Sequence, residues 1–295
     1  LVRNRDYSFV HNKIDGHIQL SINTLGKRAV CDFVLPESMQ RFFDSSWTLG
    51  TAKLVELNGI WYLHISVTKN VDEFERGDVK HVVGIDRGLR FLASVYDEQQ
   101  KTQFFSGKEI LRKRDKFDAV RAQLQAKGTR SAKRRLASIS GRENRWMSDV
   151  NHCISKALVR RYGPGTLFVL EDLTGVSFEE ENMHGAKQTH DLRNWSFYDL
   201  ETKLTYKANE SGSSVLKVNP QYTSQRCPRC GAVVKGNRDH SEHLYRCRQC
   251  GYTSNDDRIG AMNIYTLGTL WVSGNENPQF DKIKLIEPAE SVSVN

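Results

Sequence analysis

Short runs in which apolar and polar residues alternate fill the first quarter of the chain, the period of strands that bury one face. Ile18 to Ile22, Ala29 to Leu35, Ala52 to Leu57 and Trp61 to Val67 read as strands. Asn58-Gly59 joins the last two, and both residue types accept the positive φ of a two-residue hairpin turn. Tyr7 to Lys69 thus describes a small β-barrel-like unit, followed by a polar linker from Val71 to Lys80.

The pattern then lengthens. His81-Val-Val-Gly-Ile-Asp86 is a buried-strand run ending in a carboxylate. Arg87-Gly88 makes a turn, and Phe91 to Tyr96 and Thr102 to Phe105 complete three strands in hairpin order. Helical spacing covers Lys108 to Lys127 and Thr129 to Arg161, until Tyr162-Gly-Pro-Gly165 stops it. Thr166 to Leu170 is a largely apolar strand with Glu171 and Asp172 at its end. Ser177 to Arg193, with Glu179, Glu180 and Glu181 in a row, reads as a mobile loop. Asn194 to Ser211 has helical spacing through Trp195, Tyr198, Leu200, Leu204 and Ala208, Val215 to Val218 is a strand, and Asp257 to about Leu267 is a last helix. Beyond Gly274 the polar tail is expected to be disordered.

Charge adds a partner to this outline. The 43 Lys and Arg against 35 Asp and Glu leave a net charge of +8. Between Lys108 and Arg161 there are sixteen basic residues and five acidic ones. Such a segment suits nucleic acid, and Lys127, Arg130, Lys133, Arg134 and Arg135 are its densest part. A solvated helix face is the plainer reading for any one of them. At 295 residues the chain is long enough for a full core without disulfides. No apolar run approaches the about 20 residues that span a bilayer, so a membrane is not an expected partner and a cytoplasmic site is. The first residue is Leu, which fits an unusual start codon or a chain cut at its N-terminus.

Four of the six cysteines form two Cys-x-x-Cys pairs, Cys227 with Cys230 and Cys247 with Cys250, separated by sixteen residues and each followed by glycine. This is the spacing of a zinc ribbon, and four thiolates leave no open position on the ion, so the zinc is structural. His240 and His243, between the pairs, are expected to be solvated. Cys31 and Cys153 are expected to be buried, unreactive thiols, and Trp195, Phe197 and Tyr198 to belong to the core.

The acids Asp86 and Glu171 each follow an apolar run, which sets them at a sheet rim where carboxylates can meet around a cation. Two hard cations about 4 Å apart, bridged by such groups, activate a water and stabilise the leaving oxygen of a phosphodiester. Taken singly, each acid is as readily a solvated strand end.

In sequence order these motifs resemble the TnpB (OrfB) family of transposon-encoded proteins, relatives of the type V CRISPR effectors. Gly84-Ile-Asp-Arg-Gly88 resembles its first RuvC motif and Leu170-Glu-Asp-Leu173 its second. Trp195-Ser-Phe-Tyr-Asp-Leu200, Leu204-Thr-Tyr-Lys-Ala208 and Asn219 to Gly231 resemble the approach to its zinc ribbon. Asp257-Arg-Ile-Gly-Ala-Met-Asn-Ile264 resembles the third motif, with Ile259 and Gly260 where Asn and Ala are usual. The loss of that Asn removes a support for the third acid, and glycine lowers helix propensity.

The resemblance implies an α/β fold: an RNase H-like RuvC domain with an inserted zinc ribbon, preceded by a partial β-barrel wedge domain. The expected boundaries are 1–80 for the wedge and linker, 81–221 for the RuvC-like domain with its basic helical insertion, 222–254 for the ribbon, 255–270 for the last motif and helix, and 271–295 for the tail. The first wedge strands and the helical recognition lobe have no counterpart in this sequence. The family implies a guide RNA from the transposon end and cleavage of DNA by a two-metal mechanism, with base pairing reading the target. Asp86, Glu171 and Asp257 carry over as holders of Mg²⁺ or Mn²⁺, with Asp256 as the fallback and Asn263 as a support. A nucleic-acid-binding regulator without cleavage and a guide-free resolvase or RNase H-type enzyme are the competing classes. The full acidic triad disfavours the first, and the ribbon the second.

Overall fold

The computed structural model describes residues 1–57, 59–139, 141–173, 197–239 and 241–281. The expected loop from Ser177 to Arg193, Trp195 and His240 lie outside the described residues. The chain divides into two units, Leu1–Asp72 and Glu73–Asn295.

In the first unit, β1 (Tyr7–His11), β2 (Ile18–Asn23) and β3 (Arg28–Cys31) form an antiparallel sheet. A separate hairpin pairs β4 (Thr48–Leu57) with β5 (Ile60–Thr68). Leu57 faces Ile60 across the expected two-residue turn, and Gly59 has the positive φ, 80°, that the turn requires. Among the described residues no strand pairing joins the two sheets. Tyr7, Leu20 and Ala52 form a small core, against which Phe9, Leu63 and Ile65 pack. Cys31, at the end of β3, is exposed rather than buried, in a strand whose four residues are all exposed.

The second unit is built on a mixed sheet in the order β10-β9-β6-β7-β8. Its strands are β6 (His81–Asp86), β7 (Phe91–Asp97), β8 (Thr102–Ser106), β9 (Thr166–Glu171) and β10 (Ser214–Val218). The first three run as the hairpins expected, and β9 and β10 lie parallel to β6. Side chains alternate across β6 and β9, so each face carries apolar side chains that a helix covers. Val83, Ile85, Phe168 and Leu170 pack under α3 (Arg142–Tyr162) and α4 (Phe197–Glu210). Val82, Leu167 and Val169 pack under α5 (Asp256–Val272). Gly84 is where α5 approaches most closely, since a Cβ there would lie 2.3 Å from the Ala261 carbonyl.

Between β8 and β9 run α1 (Lys108–Lys127), α2 (Arg130–Ile139) and α3. The single helix expected from Thr129 to Arg161 is therefore two. Gly141, at φ 73°, takes a left-handed conformation that ends the helical hydrogen-bond ladder. Of the expected tail, residues 282–295 lie outside the described residues. Helix α5 runs to Val272, and Phe280 is buried in the cluster beneath α5. No described helix is long and apolar enough to cross a membrane.

Candidate functional site

Asp86 and Glu171 end adjacent parallel strands whose register, Ile85 opposite Leu170, makes the two acids neighbours. By the strand alternation both belong to the face that α5 covers. Asn255 caps α5, its side chain accepting the Arg258 backbone N–H at 3.1 Å, and Asp256 and Asp257 occupy the first turn. Carboxylates at that end are favoured by the helix dipole. One rim thus brings together the three acids expected to act jointly.

Burial raises the pKa of all three acids. Burial first, then the charges of Glu171 and Asp257, push the Asp86 carboxyl well above its ordinary range. Burial also raises Glu171, against a hydrogen bond from Thr223 that lowers it, and raises Asp257 with help from Asp256. Asp257 Oδ2 is buried without a hydrogen-bond partner. An orphaned carboxylate oxygen among like charges is costly unless a metal takes the lone pair. This separates Asp257 from its neighbour, because Asp256 is engaged by Arg238 Nε at 2.9 Å and by the Asp257 N–H at 3.0 Å.

At Gly260 an added Cβ would fall 2.6 Å from Asp86 Oδ2, so this glycine lets the carboxylate lie against the helix. Ile259 is fully buried with Cys227, Tyr245 and Cys247, where an asparagine would have lost its water. Both departures in the third motif therefore have packing reasons. Asn263 does support the rim, but through the second acid. Its amide donates to the Thr223 carbonyl at 2.7 Å, and the Thr223 hydroxyl bonds Glu171.

Two arginines that the sequence did not single out also belong here. Arg87, read as part of a turn, is almost wholly buried and donates to the Glu171 carbonyl at 2.7 Å, to Glu201 at 3.1 Å and to the Phe197 carbonyl at 3.1 Å. Arg238 pairs with Asp256 and lies 3.5 Å from Asp257. His243, expected to be solvated, is half-buried with its side chain 40% exposed; Nδ1 lies 3.8 Å from Asp256, and its donor atom lies within 4.8 Å of both Asp256 and Asp257. No local signal marks these contacts, since the partners of Arg87 are 84 to 114 residues away.

The four expected zinc ligands converge. All four Sγ atoms lie within 4.8 Å of one another, with Cys227 and Cys250, and Cys230 and Cys247, 3.6 Å apart. Disulfides need about 2.05 Å, whereas a tetrahedral zinc with bonds of about 2.3 Å sets sulfurs about 3.8 Å apart. The two knuckles match. In each, the glycine N–H (Gly231, Gly251) donates 2.9 Å to the carbonyl of the first cysteine, and the positive φ of 78° and 69° suits glycine alone.

The basic candidates are displayed on one element. Lys127 ends α1, and Arg130, Lys133, Arg134 and Arg135 are exposed on α2, whose Ala132 faces inward. Arg114 is different: it is 2% exposed and pairs with Glu143, which also takes Arg121, so it holds α1 against α3. Phe197 packs on the core, but Tyr198 is 78% exposed and Cys153 is exposed on α3, because both lie on outer helix faces that no described element covers.

A family model described as "Cas12f1-like, TNB domain" matches residues 197–264, and one described as "Probable transposase" (OrfB_IS605) matches residues 64–174. A CRISPR-associated endodeoxyribonuclease Cas12f1 of Syntrophomonas palmitatica is 30% identical over 76% of this chain and 46% of its own. A TnpB-like protein, MJ0751, of Methanocaldococcus jannaschii is 26% identical over 84% of this chain and 90% of its own. In fold, the chain is similar to Cas12f1 in its complex with sgRNA and target DNA, with a TM-score of 0.51 at 14% identity, covering 88% of this chain and 64% of that one. The chain spans about half the length of the Cas12f1 relatives it matches, 46% and 55%. The fold is a mixed α/β one that resembles the Cas12f1 structure. The matched stretches, residues 64–174 and 197–264, and the TnpB-like relative make the chain similar to the TnpB family.

Proposed function

We propose that this chain is a transposon-associated, metal-dependent DNA endonuclease of the TnpB type, RNA-guided, with Asp86, Glu171 and Asp257 as its catalytic carboxylates. The observation that carries the reading is the meeting of these three acids at one rim, all three with pKa raised by burial and Asp257 with an orphaned oxygen. The donor set, all hard oxygens, suits Mg²⁺ or Mn²⁺. Such ions, when bound, supply an activated water and charge stabilisation at the leaving oxygen of a phosphodiester, the two-metal RuvC chemistry.

The chain's own residues prepare that chemistry. Burial removes competing water from the acids, and Gly260 gives Asp86 its place beside α5. Arg87 fixes the end of β9, and Arg238 offsets negative charge beside Asp257. Cys227, Cys230, Cys247 and Cys250 hold a structural zinc, closed to water, which shapes the module that carries Arg238. Lys127, Arg130, Lys133, Arg134 and Arg135 contact phosphates of DNA or guide RNA, and the sequence is read by base pairing. Nothing in this scheme requires a membrane, and it fits a cytoplasmic or nucleoid site.

The test is to express the full chain with RNA transcribed from its own locus and to assay Mg²⁺-dependent cleavage of guide-matched DNA. Asp86→Ala is expected to lower the rate by about a thousandfold or more, since metal-borne stabilisation amounts to several kcal/mol. Binding of RNA or DNA with no cleavage by the wild type would favour the non-cleaving regulator, or a decayed transposon copy.

A further inference from the structure

We propose that Thr223 is a positioning residue for Glu171, and that Asn263 and Arg226 hold the turn that presents it. This inference rests on the reading of Glu171 as a metal-holding acid.

Thr223 lies in the link between β10 and the first cysteine knuckle and is 2% exposed. Its hydroxyl contacts Glu171 Oε1 and the Pro220 carbonyl, the latter at 2.8 Å. The hydroxyl's one proton lies between these two acceptors, nearer Glu171, and donated there it fixes one oxygen of the carboxylate and leaves the other for a cation. The turn itself is costly. Tyr222 has φ 67°, a left-handed conformation that a side chain disfavours, and such residues persist where the surroundings over-determine them.

The surroundings here are specific. Asn263, fully buried on α5, donates to the Thr223 carbonyl at 2.7 Å and the Arg226 carbonyl at 2.8 Å, and accepts from Arg226 Nη1 at 3.2 Å. Three of the four hydrogen-bonding positions of one amide are thus spent on a four-residue stretch. The Arg226 guanidinium in turn stacks on Phe280, 4.4 Å from the ring centre. A continuous path of packed groups runs from the buried aromatic of the tail to the second acid of the rim.

Groups that orient metal-holding side chains change affinity by about 10- to 100-fold when removed. The experiment titrates the zinc-loaded full chain with Mn²⁺ by calorimetry, for wild type, Thr223→Val, Thr223→Ser and Asp86→Ala. Thr223→Val is expected to bind about tenfold more weakly and Thr223→Ser within about twofold of wild type, with zinc content and melting temperature unchanged. Thr223→Ala serves the same comparison should valine disturb the turn. Wild-type affinity in Thr223→Val, or a serine variant as weak as the valine one, overturns the positioning role while leaving the metal site intact. Unchanged Mn²⁺ binding in Asp86→Ala would instead overturn the metal-site reading, and this inference with it.

Discussion

Asp86 is a group the metal-free protein would fold more easily without. Its carboxyl keeps a proton to higher pH in the folded chain than in the unfolded one, because of burial and then of Glu171 and Asp257. Folding therefore takes up a proton. The resulting cost is absent below the ordinary carboxylate range and complete above the raised value, so stability from this group is lost as pH rises through that window. Asp86→Asn is expected to raise the melting temperature of the metal-free protein at pH 8, by about 2–4 °C for each kcal/mol relieved. The gain should shrink at pH 4, and fluorimetric melts at the two pH values check it. An equal gain at both would mean that charge is not the cause. Asp86 and Glu171 were legible in the sequence because an acid directly after an apolar run has few places to go but a sheet rim. Arg87 and Arg238 were not, since an arginine's role is set by whichever carboxylate the fold brings to it, and here those partners come from other elements.

The helices between β8 and β9 show the same limit among elements. Their existence followed from spacing, and the break at Gly141 was the kind of boundary a glycine can supply or not. What spacing could not reveal is that one cation of a basic run faces inward. Glu143 on α3 receives both Arg114 and Arg121 of α1. Removing the carboxylate beside a buried guanidinium typically costs about 3–5 kcal/mol. Glu143→Ala is expected to destabilise the second unit by about 3 kcal/mol, seen as a lower urea midpoint, whereas Arg112→Ala, whose pair with Glu109 is exposed on both sides, should change stability by less than about 1 kcal/mol. Comparable losses in the two variants would remove the distinction between clasp and surface pair. The burial of Phe280 was hidden for a related reason: a single phenylalanine in a polar stretch leaves no period, and only the cluster under α5 gives it meaning.

Over the whole molecule, the net charge of +8 gains its significance from where it is displayed. Four of the exposed cations project from α2, and each cation withdrawn from a phosphate should lower the slope of log affinity against log salt by about 0.7–0.9. The combined change of Arg130, Lys133, Arg134 and Arg135 to glutamine is expected to flatten that slope by about 3 in a fluorescence-anisotropy titration with DNA or RNA, and an unchanged slope would make α2 a solvated face. The ordered series of motifs carried the family in the sequence, but the rim they form depends on strand order, which no motif states. That order also sets a timetable for biosynthesis. β6, β7 and β8 emerge together and can pair at once, whereas the next strand beside β6 is β9, with His81 opposite Thr166. Non-local pairing of this kind is slow, and the lid over Gly84 is α5, which is made only after the cysteine module. A nascent chain halted inside that module would hold a finished sheet whose α5 face is bare, a substrate for chaperones.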